Sequence, residues 1–427
     1  MYLFIFLLAA IFTMVHLVTR QQLGHRTLFE PGCLITIFFL LSYLLPSLAI
    51  NFGIALLPET ANASLNTISI YGTAFLLAFY LFYTRTGNWL KIFNKPNPKP
   101  LKFGAGHYFT IYCFLFIALK VILIFYGVTD ADDYTGQYAI RALIPHFVAQ
   151  LINLFGSLLL ILMCIVIALS LSQVTKSGQS YYMLGIGALL IIDMLITKSR
   201  MQFMIYFVVL GSAYGFYGRQ FDIRRELISA AVLIVLMSLV ELERVKNVGS
   251  LTILDVVIPS EFISVFRNAY HIASIEGTPD FLVPPGSSYL QALISFIPKQ
   301  INQDKWDLNS WYVSSYFPDF HEAGGGLAFG IIPEAIVNYG ILSIIFQAFV
   351  LALVIRSSLL QANRYTQDRP NIWVILYLFS FSQLYQCIRS DSFAIISGLF
   401  YGFLLPFLII RLIDFLMISL RKISTTI

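Results

Sequence analysis

Long uninterrupted apolar runs alternate with short polar connectors along almost the whole chain. Each run of about 17–25 residues is long enough to cross a hydrocarbon core of about 30 Å as a helix. The runs are continuous and do not alternate with period two, which argues for helices against the roughly 10-residue strands of a transmembrane barrel. The pattern predicts spans near 2–18, 31–56, 67–83, 107–127, 149–171, 181–197, 201–217, 227–242, 331–355, 372–388 and 393–418, about eleven in all. A kink is expected at Pro46 inside the second. The fold class expected is an all-α polytopic integral membrane protein.

One stretch breaks the pattern. Residues 244–330 carry five basic, eight acidic and 13 aromatic residues, too many aromatics for a solvated linker. The chain therefore divides into spans one to eight (1–243), a large loop (244–330), and the last three spans with a short tail (331–427). Within the loop, Pro259-Ser260-Glu261 reads as a helix start. Phe262, Val265, Phe266, Ala269 and Ala273 then share one helical face, and Arg267 and His271, four apart, share another. Tyr289, Leu290, Leu293, Ile294 and Ile297 form a second apolar stripe ended by Pro298. Two short helices at the membrane interface are expected, with Trp306 and Trp311 at the same depth.

Composition supports this class. Charged residues make up 11% of the 427, against about 25% in soluble domains. The net charge of +5 is not a nucleic-acid signal here, because in a membrane protein the informative quantity is where the cations sit. Alternating the sides of the spans gathers 17 of the 27 basic residues on one face. The positive-inside bias makes that face cytoplasmic, with the C-terminus. The large loop and the N-terminus then lie on the opposite side. Cys33, Cys113, Cys164 and Cys387 lie in apolar runs without metal-ligand spacing and read as small apolar fillers.

The residues suited to chemistry lie in the loop and in two outer turns. Arg200, preceded by Lys198, ends the turn between spans six and seven. Arg389, followed by Asp391, occupies the turn between spans ten and eleven. With Arg267 they offer planar, permanently charged forks suited to a diphosphate. His321 stands beside Glu322 and just before Gly324-Gly325-Gly326. A histidine near its ordinary pKa of about 6.5 can take a proton from a hydroxyl, and glycines let the backbone approach a substrate. Arg244, Trp306, Trp311 and Tyr316 add a cation and aromatic faces for sugars. The loop has no His-x-x-x-His and no paired aspartates, so no metal centre is expected. Lys120, Asp193 and Glu334 are read as packed within the bundle on internal partners.

These features together resemble a known family. Arg200 is followed after ten residues by Gly211, and a large outer loop comes two spans later. The loop closes on Gly324-Gly325-Gly326 and leads into Glu334-x-x-x-Asn338-Tyr339-Gly340. Arg389-Ser390-Asp391 follows as a late outer turn. The arrangement is similar to the bacterial O-antigen polymerases of the Wzy type and, more broadly, to the O-antigen ligase-like membrane glycosyltransferases. It departs from the pattern at Arg389, which has Gly398 after eight residues and Gly402 after twelve, so a second Arg-x10-Gly is absent.

The resemblance implies a GT-C-like fold in the bacterial inner membrane and a glycosyltransferase that works without metal or cofactor. Its substrates would be undecaprenyl-diphosphate-linked oligosaccharides, with the growing glycan moved en bloc to a new lipid-linked unit. His321, helped by Glu322, would activate the acceptor hydroxyl. Arg200, Arg267 and Arg389 would hold the diphosphate, and Lys198, Arg244, Trp306, Trp311, Tyr316 and Asp391 would contact substrate. Partners implied are the lipid-linked oligosaccharides, the bilayer, a chain-length regulator and a flippase, and no nucleic acid. In this reading the loop is a lid over a floor built by Arg200 and Arg389. The alternatives are an O-antigen ligase, a polymerase of enterobacterial common antigen or exopolysaccharide, and, outside enzymes, a lipid-linked oligosaccharide flippase.

Overall fold

The computed structural model describes residues 1–19, 29–52, 61–85, 100–101, 103–128, 140, 143–172, 180–197, 201–217, 260–276, 285–297, 301–302, 304–322, 327–363 and 370–426. Among them there are helices and no strand. The helices before the loop are α1 (Tyr2–Thr19), α2 (Pro31–Asn51), α3 (Ala61–Arg85), α4 (Ala105–Phe125), α5 (His146–Leu171), α6 (Ser180–Thr197) and α7 (Met201–Phe216). The loop holds α8 (Ser260–Ile275), α9 (Ser287–Leu293), α10 (Leu308–Tyr316) and α11 (Pro318–Glu322). After it come α12 (Ile331–Val337), α13 (Ile341–Asn363), α14 (Ile372–Arg389) and α15 (Ser392–Ser397), which runs through a π-helical stretch (Gly398–Leu404) into α16 (Leu405–Thr426).

Six stretches are long and apolar enough to cross a membrane: Pro31–Asn51, Ala63–Arg85, Ala105–Phe125, Phe147–Leu171, Ile341–Ala362 and Ser392–Ser419. Four further apolar helices, at Tyr2–Val18, Tyr181–Met194, Gln202–Phe216 and Ile372–Leu384, are shorter. The protein is thus a helical membrane protein. The expected span at 227–242 lies outside the described residues, as do Lys198, Arg200, Arg244 and Gly324-Gly325-Gly326.

The bundle is centred on α5, which packs against α4, α6, α7, α14 and α16. Ile161 to Leu169 of α5 are all buried. On the other flank α3 packs against α1 and α13. A column of rings fills the α2–α3 seam, with Phe39 stacked on Phe75 at 4.4 Å and Phe79 on Tyr83 at 5.4 Å. Two glycines admit rings directly. A Cβ on Gly72 would meet the Phe6 ring at 2.5 Å, and one on Gly211 would meet Phe29 at 2.5 Å. Gly211, which carries the Arg-x10-Gly spacing, thus has a packing reason of its own.

Proline leaves the expected mark on α2. A π-helical turn at Leu40–Leu44 precedes Pro46. The wider turn absorbs the missing N–H and the clash of the proline ring with the preceding turn. The π stretch Gly398–Leu404 precedes Pro406 in the same way.

The ninth span departs from the sequence expectation of 331–355. The chain first makes the short helix α12, reverses at Asn338–Gly340, and only then enters α13. Gly340 takes φ +62, a region L side chains avoid, and its N–H closes on the Ala335 carbonyl at 2.8 Å. At the other end α13 runs to Asn363 and carries Arg356 with it, where a connector was expected. Arg356 is buried with its guanidinium over the Tyr83 ring. The Tyr83 hydroxyl donates to Glu30. Burial pushes the Glu30 carboxyl up, against the opposing pull of Tyr83 and Arg356. A cation can sit in this helix because a carboxyl and a ring receive it.

A second internal pair links α4 to α6. The Lys120 ammonium contacts the Asp193 carboxylate, and both side chains are mostly buried. Asp193→Asn leaves the ammonium unmatched and is expected to cost about 3–5 kcal/mol. The double variant Lys120→Met/Asp193→Leu is expected to recover most of that loss. Thermal unfolding of the purified protein in one detergent checks this, and equal losses in single and double variants would show that the pair does not act as a unit.

Candidate functional site

The loop is folded onto the bundle. Helix α8 begins at Ser260 and buries Val265, Phe266, Ala269 and Ile272. Its neighbours are α3, the π turn of α2, and α12. The Asn268 amide donates to the Ala328 carbonyl and draws residues 327–330 along α8. Gly330, at φ +94, is tightly enclosed. A Cβ there would lie 2.6 Å from the Tyr43 hydroxyl, 2.8 Å from the Val265 side chain and 3.2 Å from the Ile388 carbonyl. Helices α2, α8 and α14 therefore meet at this glycine. Arg267 lies two residues beyond Val265 and is exposed, whereas Arg389 follows Ile388 and is half-buried. Two of the predicted arginines thus lie on helices that both pack against Gly330.

One turn beyond Arg267, His271 is half-buried with its Nδ1 at 2.9 Å from the Tyr312 hydroxyl oxygen. Tyr316 stands edge-on to the imidazole at 5.1 Å between centroids, and Phe329 packs on Tyr312 at 5.3 Å. Burial lowers the His271 pKa, which favours the neutral ring. In the tautomer that donates from Nδ1, Nε2 keeps a lone pair. Trp311 packs edge-on to Tyr316 at 5.8 Å, and Trp306, Trp311 and Tyr316 are all partly buried against the core.

His321 and Glu322 lie on α11 and are exposed. The His321 ring makes no hydrogen bond among the described residues. His271 is the residue that sequence reasoning passed over. Its signal was present, since Arg267 and His271 are four apart on one helical face.

Next to this cluster a buried carboxyl ties three segments together. Glu334 of α12 accepts from the Ser392 N–H at 3.0–3.1 Å, the Ser392 hydroxyl at 2.9 Å and the Gln347 amide at 2.9 Å. The Ser288 hydroxyl also reaches it at 3.3 Å. Asn338, one turn on, accepts from the Gly286 N–H at 2.8 Å and donates to Ser288 at 2.9 Å. Tyr339 donates its hydroxyl to the Pro285 carbonyl. The Glu334-x-x-x-Asn338-Tyr339-Gly340 pattern is therefore a lock joining the start of α9, the mouth of α13 and the Arg389 turn. Asp391 is buried, and its two oxygens accept from the Ala394 N–H at 3.0 Å and the Leu308 N–H at 2.9 Å. It caps α15 and fixes the start of α10 at once.

Comparison with family models, curated proteins and solved structures finds no match to this chain.

Burial, and after it the Asp391 carboxyl, push Glu334 up to about 8 from an ordinary 4.5. The Ser288 and Ser392 hydroxyls can turn to accept from the protonated form. Between those two values the folded protein keeps a proton that the unfolded chain has released, so this group's contribution to stability falls as pH rises through the window. The thermal midpoint of the wild type is expected to drop from pH 6 to pH 8, and Glu334→Gln is expected to show a shallower slope. Identical slopes would assign the pH dependence to other groups.

Proposed function

We propose that the protein is a membrane glycosyltransferase that polymerises undecaprenyl-diphosphate-linked oligosaccharide units at the extracytoplasmic face of the bacterial inner membrane. The observation that supports this reading most is the packing of α8 and the end of α14 on Gly330, with a histidine held by Tyr312 one turn from Arg267. In this reading Arg267 and Arg389 supply the cations for a diphosphate and His271 the base for a hydroxyl.

In this reaction the acceptor sugar hydroxyl attacks the anomeric carbon of the lipid-linked glycan. Nε2 of His271 takes the hydroxyl proton. The bond from the anomeric carbon to the diphosphate oxygen breaks, and its electron pair leaves with undecaprenyl diphosphate. Arg267 and Arg389, with Arg200 as the third cation, neutralise the charge that builds on that oxygen. Tyr312 holds the imidazole ring in place. His321 with Glu322 is the second candidate base, supported by the family resemblance and by its exposure to incoming acceptor.

The test compares alanine variants that insert and purify like the wild type, supplied with lipid-linked repeat units. His271→Ala is expected to lower turnover about 10²–10⁴-fold, and His321→Ala to stay within a few-fold. The opposite result would return the role of base to His321. Arg389→Ala is expected to lose about 10²–10³-fold. In cells, loss of a polymerase leaves a single repeat on the surface glycan acceptor, whereas loss of a ligase leaves none.

A further inference from the structure

The second loop helix faces the opposite way from a helix docked on a protein in water. On α9 and the turn after it, Ser288, Ala292 and Ser295 point inward and are buried, while Leu290, Leu293 and Phe296 are 67%, 62% and 47% exposed. The small and polar side is thus spent on the protein, and the apolar stripe faces outward.

The orientation is fixed. Ser288 and the Gly286 N–H are held by Glu334 and Asn338. The Tyr401 hydroxyl donates to the Phe296 carbonyl at 2.7 Å. The Lys305 ammonium donates to the Ser295 and Ile297 carbonyls and lies over the Phe393 ring. Carbonyls that a helix end leaves open are thus closed by protein groups, as a segment outside water requires.

The stripe is continuous with the outward faces of two membrane-crossing stretches. Tyr289 meets Phe346 of α13, and Phe296 meets Phe400 of the last span, each at 6.1 Å between centroids. Beside them, outward apolar side chains of the same two spans, Leu342 and Leu404 among them, are exposed in the same way.

We infer that residues 285–297 form a strap seated in the acyl chains of the leaflet at this end of the bundle, bridging α13 and the last span. The partner of this surface is the bilayer itself. Glu334 is the latch: the same carboxyl that receives Ser288 also receives Ser392, so the strap and the Arg389 turn share one anchor. The strap does not depend on the proposed glycosyl transfer.

The test places a nitroxide at Leu290→Cys or Leu293→Cys, with the four native cysteines replaced, in phospholipid vesicles. Collisions with oxygen, which partitions into lipid, are compared with collisions with a water-soluble nickel chelate. High oxygen and low nickel accessibility is expected at both positions, with the reverse at a control label on exposed Ser310→Cys. Nickel accessibility at Leu290 equal to the control would put the strap in water and overturn the inference. Protection from both reagents would mean that protein, such as a second copy of this chain, covers the stripe, and would also overturn it. Ser288→Ala, and independently Glu334→Ala, are expected to sharpen the label spectrum at Leu290 by releasing the strap. An unchanged spectrum in a folded Ser288→Ala protein would remove the latch.

Discussion

A carboxyl buried beyond the reach of water is costly unless donors surround it, and Glu334 is the group on which this end of the molecule converges. It takes donors from a loop helix, from a span and from the turn that carries Arg389. Asn338 repeats the arrangement one turn later with Gly286 and Ser288. Asp391 extends it to the start of α10. Most of the segments held this way are separated by dozens of residues in sequence, and hydrogen bonds to a few buried polar atoms fix their register alongside ring contacts such as Tyr289 on Phe346.

The same rule governs the rest of the bundle. Lipid offers a charge no partner, so charged side chains inside the bundle find partners within the protein. Lys120 meets Asp193, Arg356 faces Glu30 across the Tyr83 ring, and Asp414 accepts from Tyr108 at 2.8 Å. Each pair joins helices far apart in the chain. Apolar packing brings helices together almost anywhere along their length, but a pair of this kind is satisfied in one register only.

This division explains what could be read in the chain. The helices were legible because apolar length and period are local properties of sequence, and most predicted spans fall on apolar helices. The buried face of α8 was legible for the same reason, since Val265, Phe266 and Ala269 repeat at helical spacing. The start of the ninth span was not. Ile331 to Val337 is mostly apolar like α13 itself, and the turn between them rests on Gly340 at φ +62, where a Cβ would also crowd the Tyr71 hydroxyl at 2.9 Å. Sequence reasoning assigned the base to His321 and gave His271 no role, although both are loop histidines near acidic and aromatic residues. Only the packing of Tyr312 and Tyr316 around one of them separates the two.

The geometry also corrects the picture of the loop as a removable lid. Helix α8 contributes Val265, Phe266, Ala269 and Ile272 to the same core as α2 and α3, and Gly330 is wedged against Tyr43 and the end of α14. Lifting α8 would expose that core, so it belongs to the floor. The strap is different. Its buried side chains are serines and an alanine, Leu290 and Leu293 already face outward, and its ring contacts are Tyr289 on Phe346 and Phe296 on Phe400. Detaching it would part those two ring pairs and break the bonds to Glu334, Asn338, Tyr401 and Lys305. If any part of this end opens to admit a lipid-linked chain from the side, it is therefore the strap that moves and α8 that stays.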